Sequence, residues 1–136
     1  MAKSPEAYAD TSAFIAFLDR SDSHHVLFRR LFSAPPQLLT SSLVIAEGHA
    51  WFLRRYDATR ALQFMAMVEE MPFVSILTIG QAEIDAASPV LRKYLDQALT
   101  LTDAIGLALM RQRRIRSCWS TDRHLGLTGV PLVISG

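Results

Sequence analysis

Four acidic side chains, widely separated along the chain, are the residues best suited to chemistry: Asp10, Glu47, Asp103 and Asp122. Carboxylate oxygens are hard ligands that suit Mg²⁺ or Mn²⁺. Four carboxylates that met without a cation would repel one another and raise one another's pKa values. One or two such ions can activate a water molecule and stabilise the leaving oxygen in phosphodiester cleavage. If the acids converge, the sequence therefore predicts a metal-dependent hydrolase of phosphodiesters.

Each acid also has a structural explanation when it is considered alone. Asp10 and Asp103 are placed to cap or to begin helices, and Asp122 is placed to begin a turn. Glu47 lies in the apolar segment 43–52, where burial of its charge is costly unless a metal or an arginine pairs with it. On the residues alone, neither explanation excludes the other.

The apolar pattern predicts short strands that alternate with longer helices. Strands are expected at 6–9, 37–40, 73–77, 117–120 and 131–134. Helices are expected at 13–18 after a cap at Thr11 or Ser12, at 24–32, from a cap at Ser41 or Ser42 to about 55, from a cap at Asp57 to 71, at 81–94 with a bend at Pro89, and at 103–113 after a cap at Thr102. This alternation indicates a parallel sheet that is covered on both faces. Ligands bind outside the carboxyl ends of such strands, so Asp10 and Asp122 are expected along one edge.

Composition limits the class of protein. The 136 residues, half of them hydrophobic and a fifth charged, suit a single domain with one core, which we predict to span 1–136. No apolar run approaches the roughly 20 residues of a membrane span, and the opening residues lack the apolar region of a secretory signal. The single cysteine, Cys118, excludes an intrachain disulfide and suits a buried strand. We therefore expect a cytoplasmic protein with no membrane partner.

The acids lie in four segments that resemble the motifs of PIN-domain ribonucleases. The segments are Ala9 to Asp19, which contains the D-T-S triplet, Thr40 to Glu47, Leu101 to Met110, and Ser120 to Leu125 with Gly129 following. Their order, spacing and context agree with the family over nearly the whole chain. The resemblance implies an α/β fold: a single PIN-like domain with a central parallel β-sheet that is flanked by helices on both faces.

The same resemblance implies a metal-dependent endoribonuclease, specifically a VapC-like toxin of a type II toxin–antitoxin system. Under it, the four acids become catalytic metal ligands for Mg²⁺ or Mn²⁺, and Ser12 becomes an accessory group near the metal. Arg123 and His124, which adjoin Asp122, become candidates for substrate contact. The implied partners are RNA, a cognate antitoxin and a second copy of the chain. Leu125 stands where the family usually has an aromatic residue, which we expect to alter packing rather than chemistry.

Several alternatives remain open at this point. A DNA nuclease or a phosphatase would use the same metals, and a non-catalytic binding module would carry a degenerate site. The basic residues Arg111, Arg113, Arg114 and Arg116 are placed either to guide RNA or to solvate a helix end. Two apolar sets fit either a docking groove or the core: Phe28, Leu31 and Phe32, and Leu62, Met65 and Val68.

Overall fold

A four-stranded parallel sheet forms the centre of the computed structural model, which describes residues 4–135. Its strands are β1 (Ala7–Ala9), β2 (Leu38–Ser41), β3 (Val74–Leu77) and β4 (Cys118–Trp119), and they lie in the order β3-β2-β1-β4. The chain therefore builds outward from β1 to β3 and then returns to the other side of β1. This reversal creates a crevice at the carboxyl ends of β1 and β4, where parallel α/β sheets bind their ligands.

Within the described residues, six α-helices cover the two faces of the sheet. They are α1 (Thr11–Leu18), α2 (His25–Leu31), α3 (Ser42–Arg55), α4 (Ala58–Glu70), α5 (Gln81–Lys93) and α6 (Leu101–Gln112), with short 3₁₀ helices at Leu95–Gln97, Arg123–Gly126 and Val133–Ser135. Within residues 4–135, every helix is too short or too polar to cross a lipid bilayer. The predicted α/β class is confirmed, because helices and parallel strands alternate from β1 to β4.

Alternation along the strands divides the core into two parts. In β1, Ala7 and Ala9 face α1 to α4, whereas Tyr8 faces α5 and α6. The first part is rich in aromatic rings, among them Phe28, Phe32 and Phe64, and the second is mainly aliphatic. Strands inside a parallel sheet are buried on both faces, and every residue of β1, β2 and β4 is buried, whereas the edge strand β3 is partly exposed.

The structure shows which residues of the two apolar sets lie in the core and which are exposed. Phe28, Phe32 and Val68 are buried in the core, as their helical spacing allows, whereas Leu62 is 61% exposed on α4. Gly48 lies where α3 crosses α4, and a Cβ atom there would overlap the ring of Phe64. Close helix packing therefore explains a glycine inside a helix, where it otherwise costs about 1 kcal/mol relative to alanine.

The predicted last strand at 131–134 is wrong. Only Leu132 forms an isolated parallel bridge, to Cys118, and Val133–Ser135 is a 3₁₀ helix. Pro131 has no N–H to donate, and its carbonyl accepts a single bond from the Cys118 N–H at 3.0 Å. β4 is itself only two residues long. The chain therefore forms a turn instead, in which the Ser135 N–H donates to the Leu132 carbonyl.

The start of α6 also differs from the prediction, since Thr100 rather than Thr102 is its N-cap. The Thr100 hydroxyl accepts from the Asp103 N–H at 3.1 Å, and Asp103 Oδ2 accepts from the Thr100 N–H at 3.2 Å. This reciprocal pair is a capping box, which satisfies two N–H groups at the start of the helix. Asp103 therefore lies in the first turn of α6 with its carboxylate held at the carboxyl edge of the sheet.

Candidate active site

Asp10 lies at the carboxyl end of β1, beside the crevice between β1 and β4. Tyr8 pairs with Leu39 of β2 and with Cys118 of β4. Two residues further along, the parallel register aligns Asp10 with Ser41 on one side and Ser120 on the other. Asp10 is only 4% exposed, so a fold that buries both faces of its sheet also buries a carboxyl group at its edge.

Hydrogen bonds from serine hydroxyls hold the Asp10 carboxylate. Ser12 Oγ and Ser120 Oγ each lie 3.1 Å from Asp10 Oδ2, and the two hydroxyl oxygens are 3.1 Å apart. Ser12 Oγ also accepts from the Thr121 N–H at 2.9 Å, which ties the start of α1 to the end of β4. Asp10, rather than Thr11 or Ser12, occupies the N-cap position of α1, but its side chain makes no capping bond. The two serines, rather than a capping bond, therefore hold the carboxylate.

Asp103 has both of the roles that its position in the sequence suggested: it takes part in the capping of α6, and it lies at the candidate site. Its Oδ2 takes part in the capping box, while its side chain lies against the crevice and the residue is 7% exposed. Burial and the negative charge of Asp122 raise the pKa of Asp103, and the N–H of Thr100 and the charge of His124 oppose that increase. The carboxylates of α6 and of the β4 loop are therefore close enough to act on each other.

Asp122 begins the turn that follows β4, so its structural explanation also holds. Asp122 Oδ1 accepts from the His124 N–H at 3.0 Å and lies 3.1 Å from His124 Nδ1. The Asp122 N–H donates to Ser120 Oγ at 2.9 Å. Asp122 comes three residues after Trp119, the last residue of β4, rather than directly after the strand. The turn between them carries the carboxylate back over the crevice toward Asp103.

The resulting cluster fits a divalent cation. Ligand atoms of Asp103, Asp122 and His124 all lie within 4.8 Å of one another. Burial, together with the charges of Asp103 and Glu47, raises the pKa of Asp10 from 3.8 to about 7, against the hydrogen bonds from the Thr11 N–H and from Ser12. Buried like charges that destabilise one another are stabilised by a cation, and carboxylate oxygens with one imidazole nitrogen are suitable ligands for it.

Glu47 has a different environment from the one predicted for it. Its side chain is half-buried on α3 rather than enclosed by apolar residues, because the buried side of this helix carries Val44, Gly48 and Phe52. The Glu47 charge is therefore not fully buried, and the predicted cost of burying it does not support a metal site. Its charge nonetheless raises the pKa of Asp10 and of Tyr8, so Glu47 faces the same crevice.

A model of the PIN domain matches residues 7–129. The chain belongs to the PIN-domain family. It is 28% identical over 118 residues to Ribonuclease VapC26 of Mycobacterium tuberculosis, with 85% of each chain covered. It is 26% identical over 124 residues to the 23S rRNA-specific endonuclease VapC20 of the same species, with 90% of this chain and 93% of that protein covered. The predicted resemblance to VapC-like nucleases is confirmed.

Two solved structures share the fold of this PIN domain. The crystal structure of Mycobacterium tuberculosis VapC20, a sarcin–ricin loop cleaving toxin, superposes with a TM-score of 0.82 at 23% identity, covering 91% of this chain and 95% of that one. A toxin–antitoxin complex from Klebsiella pneumoniae gives a TM-score of 0.61 at 21% identity, covering 93% and 95%. At these identities the likeness concerns the fold, and it agrees with the α/β architecture predicted from the sequence.

Sequence reasoning missed Ser120, which contacts the candidate site of the PIN domain. Ser120 is fully buried and bonds both Asp10 and the backbone of Asp122. It was visible only as part of the motif around Asp122. Its role depends on the pairing of β4 with β1, which no local pattern reveals. If the pair of Tyr8 with Cys118 had been known, extending it by two residues would have placed Ser120 beside Asp10.

The basic residues of the PIN domain are distributed unevenly around the site. Arg123 is exposed directly beside Asp122, whereas Arg113 ends α6, about 15 Å from Asp103 along the helix axis. Arg111, Arg114 and Arg116 share that distant end. Within residues 4–135, both carboxylate–cation contacts shorter than 4.0 Å are made by histidines, so no arginine of that range has a carboxylate within that distance.

Proposed function

We propose that this PIN domain is a divalent-metal-dependent endoribonuclease that acts as the toxin of a toxin–antitoxin pair. The observation that carries the proposal is the convergence of Asp103, Asp122 and His124 on one another, beside the buried Asp10. The VapC relatives, which are named for ribonuclease activity, support RNA as the substrate.

The metal ligands in this proposal are Asp10, Asp103 and Asp122, with Glu47 completing the set directly or through water. Mg²⁺ and Mn²⁺ both suit such oxygen ligands. When bound, the ion supplies acidity to a coordinated water and neutralises charge on a phosphodiester.

The protein's own residues keep the carboxylates in place despite their repulsion. Ser12 and Ser120 hold Asp10 from the β4 side. The Thr100 N–H holds Asp103, and the His124 N–H holds Asp122. Because these donors are present before any ligand arrives, the site is preorganised for a cation and for in-line attack by water.

Substrate contact in this proposal belongs to residues beside the cluster. Arg123 is exposed next to Asp122 and presents a guanidinium group that suits a phosphate of RNA. His124 is half-buried, and its Nδ1 already contacts Asp122 Oδ1 at 3.1 Å. We therefore assign phosphate binding to Arg123, and the orientation of Asp122 to His124.

Substitution of Asp103 with asparagine tests the proposal. Asparagine can still accept the capping bond from Thr100, so the helix is kept while the ligand charge is lost. Changes to groups that only support a ligand cost about 10- to 100-fold, so we expect RNA cleavage to fall more than about 100-fold. Asp96→Asn is the matched control, because Asp96 is exposed seven residues earlier, and its activity should be unchanged.

The substrate class is tested with RNA, single-stranded DNA, duplex DNA and a phosphomonoester, each with Mn²⁺ and with EDTA. The proposal predicts cleavage of RNA alone and its complete loss in EDTA. Faster cleavage of DNA or of the phosphomonoester would assign the site to a DNA nuclease or a phosphatase. Failure to bind Mn²⁺ in calorimetry would indicate a binding module with a degenerate site.

We also propose a cognate antitoxin and a second copy of the chain as partners, and the cytoplasm as the location. The structural likeness to a toxin–antitoxin complex supports the antitoxin. Co-expression with the product of a neighbouring short reading frame, followed by light scattering, tests both partners. Recovery of the chain alone and as a monomer would contradict them.

A further inference from the structure

A cavity of about 260 Å³ lies between α5 and α6, and its lining does not include the four acids of the candidate site. Val90 and Ala108 contribute apolar surface to it, whereas Lys93 and Arg111 contribute positive charge. Both cationic residues are exposed, so the cavity is open to solvent. Ligand pockets commonly have volumes of about 300–1,000 Å³. This cavity therefore suits a small ligand or one unit of a polymer.

The charge that lines this cavity is entirely positive. Among residues 4–135, no Asp or Glu lines it, and no carboxylate lies within 4.0 Å of Lys93 or Arg111. Lys93 Nζ lies 5.4 Å from the centre of the Tyr94 ring, a cation–π contact that keeps the ammonium group beside the cavity. Two cations that share a cavity without an anionic partner favour a ligand with negative charge.

The rest of the lining fits the other parts of a nucleotide. Tyr94 contributes an aromatic ring, and Gln112 contributes a side-chain amide that both donates and accepts hydrogen bonds. Pro89, Val90 and Ala108 contribute apolar surface. A nucleotide has a charged phosphate, apolar base faces and a hydrogen-bonding base edge, so the lining has a counterpart for each part. A simple inorganic anion would use the two cations alone.

A second cavity with arginines shows that basic residues alone do not make such a site. Arg20 and Arg60 line it, but Asp19 lines it as well. Asp19 is 7% exposed and accepts hydrogen bonds from the Ser21 and Tyr56 hydroxyls. An anion in that cavity meets a carboxylate, so the cavity between α5 and α6 is the better site for a phosphate.

The elements that hold the acids also form part of this cavity. Asp103 lies in the first turn of α6 and Arg111 lies eight residues later, a separation of about 12 Å along the helix axis. Asp122 begins the turn after β4, and Thr128 of the following segment lines the cavity. An RNA strand whose scissile phosphate lies at the acids can therefore reach the cavity within a few nucleotides.

We propose that the cavity between α5 and α6 binds one nucleotide of the RNA substrate, a few nucleotides away from the scissile phosphate. Lys93 and Arg111 contact the phosphate oxygens, while the sugar and base lie against Val90 and Ala108. This subsite rests on the proposed ribonuclease function, because one RNA strand spans both the acids and the cavity.

The double variant Lys93→Ala and Arg111→Ala tests the subsite by fluorescence anisotropy. The probe is a labelled RNA of about 12 nucleotides, with Mn²⁺ and in an Asp103→Asn background that leaves the RNA uncut. Loss of charge-assisted hydrogen bonds to a phosphate should raise the dissociation constant about tenfold. Loss of one phosphate contact should also reduce the slope of log affinity against log salt by about 0.7.

The matched control is the double variant Arg113→Ala and Arg116→Ala in the same background. It removes the same charge from residues outside the cavity, and we expect its RNA affinity to change by less than about twofold. Equal losses of affinity in the two double variants would overturn the subsite, because they would show a general effect of positive charge.

Ala86→Leu tests the cavity itself without changing the charge. Ala86 lines the cavity from α5, and leucine there fills space that the nucleotide needs. We expect RNA binding to weaken as it does without Lys93 and Arg111, while melting curves show that the fold is kept. Ala82→Leu is the control, because Ala82 is exposed on the same helix outside the cavity. Equal RNA affinity in the two leucine variants would contradict binding inside the cavity.

Uridine monophosphate distinguishes an RNA subsite from a site for free nucleotides. A subsite predicts that the RNA affinity depends on Lys93 and Arg111. Saturable binding of uridine monophosphate in calorimetry that is lost in the Lys93 and Arg111 variant, together with an unchanged RNA affinity, would assign the cavity to free nucleotides and overturn the subsite.

Failure of the subsite is distinguishable from failure of the proposed function. A wild-type protein that cuts no RNA with Mn²⁺, but whose RNA binding depends on Lys93 and Arg111, contradicts the ribonuclease function and leaves an RNA-binding cavity. A wild-type protein that cuts RNA, with equal RNA affinities in the two double variants, overturns the subsite alone.

Discussion

The two edges of the sheet hold opposite charges in opposite ways. At the carboxyl edge, Asp10 and Asp103 are buried and are held by hydrogen bonds from serine hydroxyls and backbone N–H groups. At the amino edge, Arg113 and Arg116 are exposed and have no acidic partner within residues 4–135. The carboxyl edge removes these two acids from water, whereas the two arginines of the amino edge stay in contact with it.

The difference shows how a cluster of like charges that marks a functional site can be distinguished from one that only reflects the composition of the surface. Exposed arginines repel one another weakly because water and salt screen them. Buried carboxylates repel strongly, so hydrogen-bond donors together with a bound proton or a cation are needed to keep them together. Holding buried carboxylates together has an energetic cost. Such a cluster is therefore a better indication of a functional site than a cluster of exposed charges.

The largest expected effect comes from the carboxyl edge, where Asp10→Asn removes the most buried charge. Asparagine can still accept hydrogen bonds from Ser12 and Ser120, so the fold is kept. We expect RNA cleavage to fall more than about 100-fold, since changes to groups that only support a ligand already cost 10- to 100-fold. Full activity in this variant would remove Asp10 from the site.

The same variant should be more stable than the wild type without metal, and the difference should depend on pH. The pKa of Asp10 is about 7 in the folded protein against 3.8 as the ordinary value, so the folded state binds the proton more tightly. The wild type therefore loses stability as the pH rises from about 4 to about 7, by at most about 4 kcal/mol, and levels off above. Melting curves in EDTA from pH 4.5 to 8 measure this, and a constant difference would contradict it.

An intermediate effect is expected for Ser120→Ala, which leaves the Asp122 N–H without its acceptor and Asp10 without one donor. An unsatisfied buried group costs about 1–3 kcal/mol of unfolding free energy, and we expect about a tenfold weaker Mn²⁺ affinity. Denaturant titration and calorimetry measure the two effects. Ser33→Ala is the control, since Ser33 is exposed and should change stability by less than about 0.5 kcal/mol.

The smallest effect is expected at the amino edge. The double variant Arg113→Ala and Arg116→Ala should change the KM for RNA by less than about twofold, because both side chains lie far from the acids. Arg123→Ala, beside Asp122, should raise KM several-fold and weaken its dependence on salt. The comparison between the two edges fails if the amino-edge variant raises KM more than Arg123→Ala does.

Much of the fold and part of the site could be predicted because they depend on local pattern. The apolar periodicity placed four strands and six helices within a few residues of their observed bounds, and it placed Asp10 directly after β1. Asp57 caps α4 as expected, with Oδ1 accepting from the Arg60 N–H at 2.8 Å. The four acidic motifs led to the family, since their order along the chain is itself a property of the sequence.

Other predictions failed where residues distant in sequence determine the pairing, the burial or the helix cap of a segment. The segment 131–134 has a strand-like composition, but β4 offers it only one bridge, at Cys118. Glu47 lies in an apolar stretch, yet the direction in which α3 packs leaves it half-exposed. Thr102 was as good a cap as Thr100 by residue type, and the choice between them depends on where α6 meets the sheet.

The sequence by itself therefore determined the class of fold and the family, and it singled out the four acids as candidates, because these follow from residue type and spacing. Only the tertiary structure showed how the acids are held. Ser120 meets Asp10 across 110 positions of sequence, and the register of β1 with β2 alone brings the buried Ser41 and Tyr8 to the same end of the sheet. Strand order and register are set by the packing of all the helices together, so no single segment of the chain contains that information.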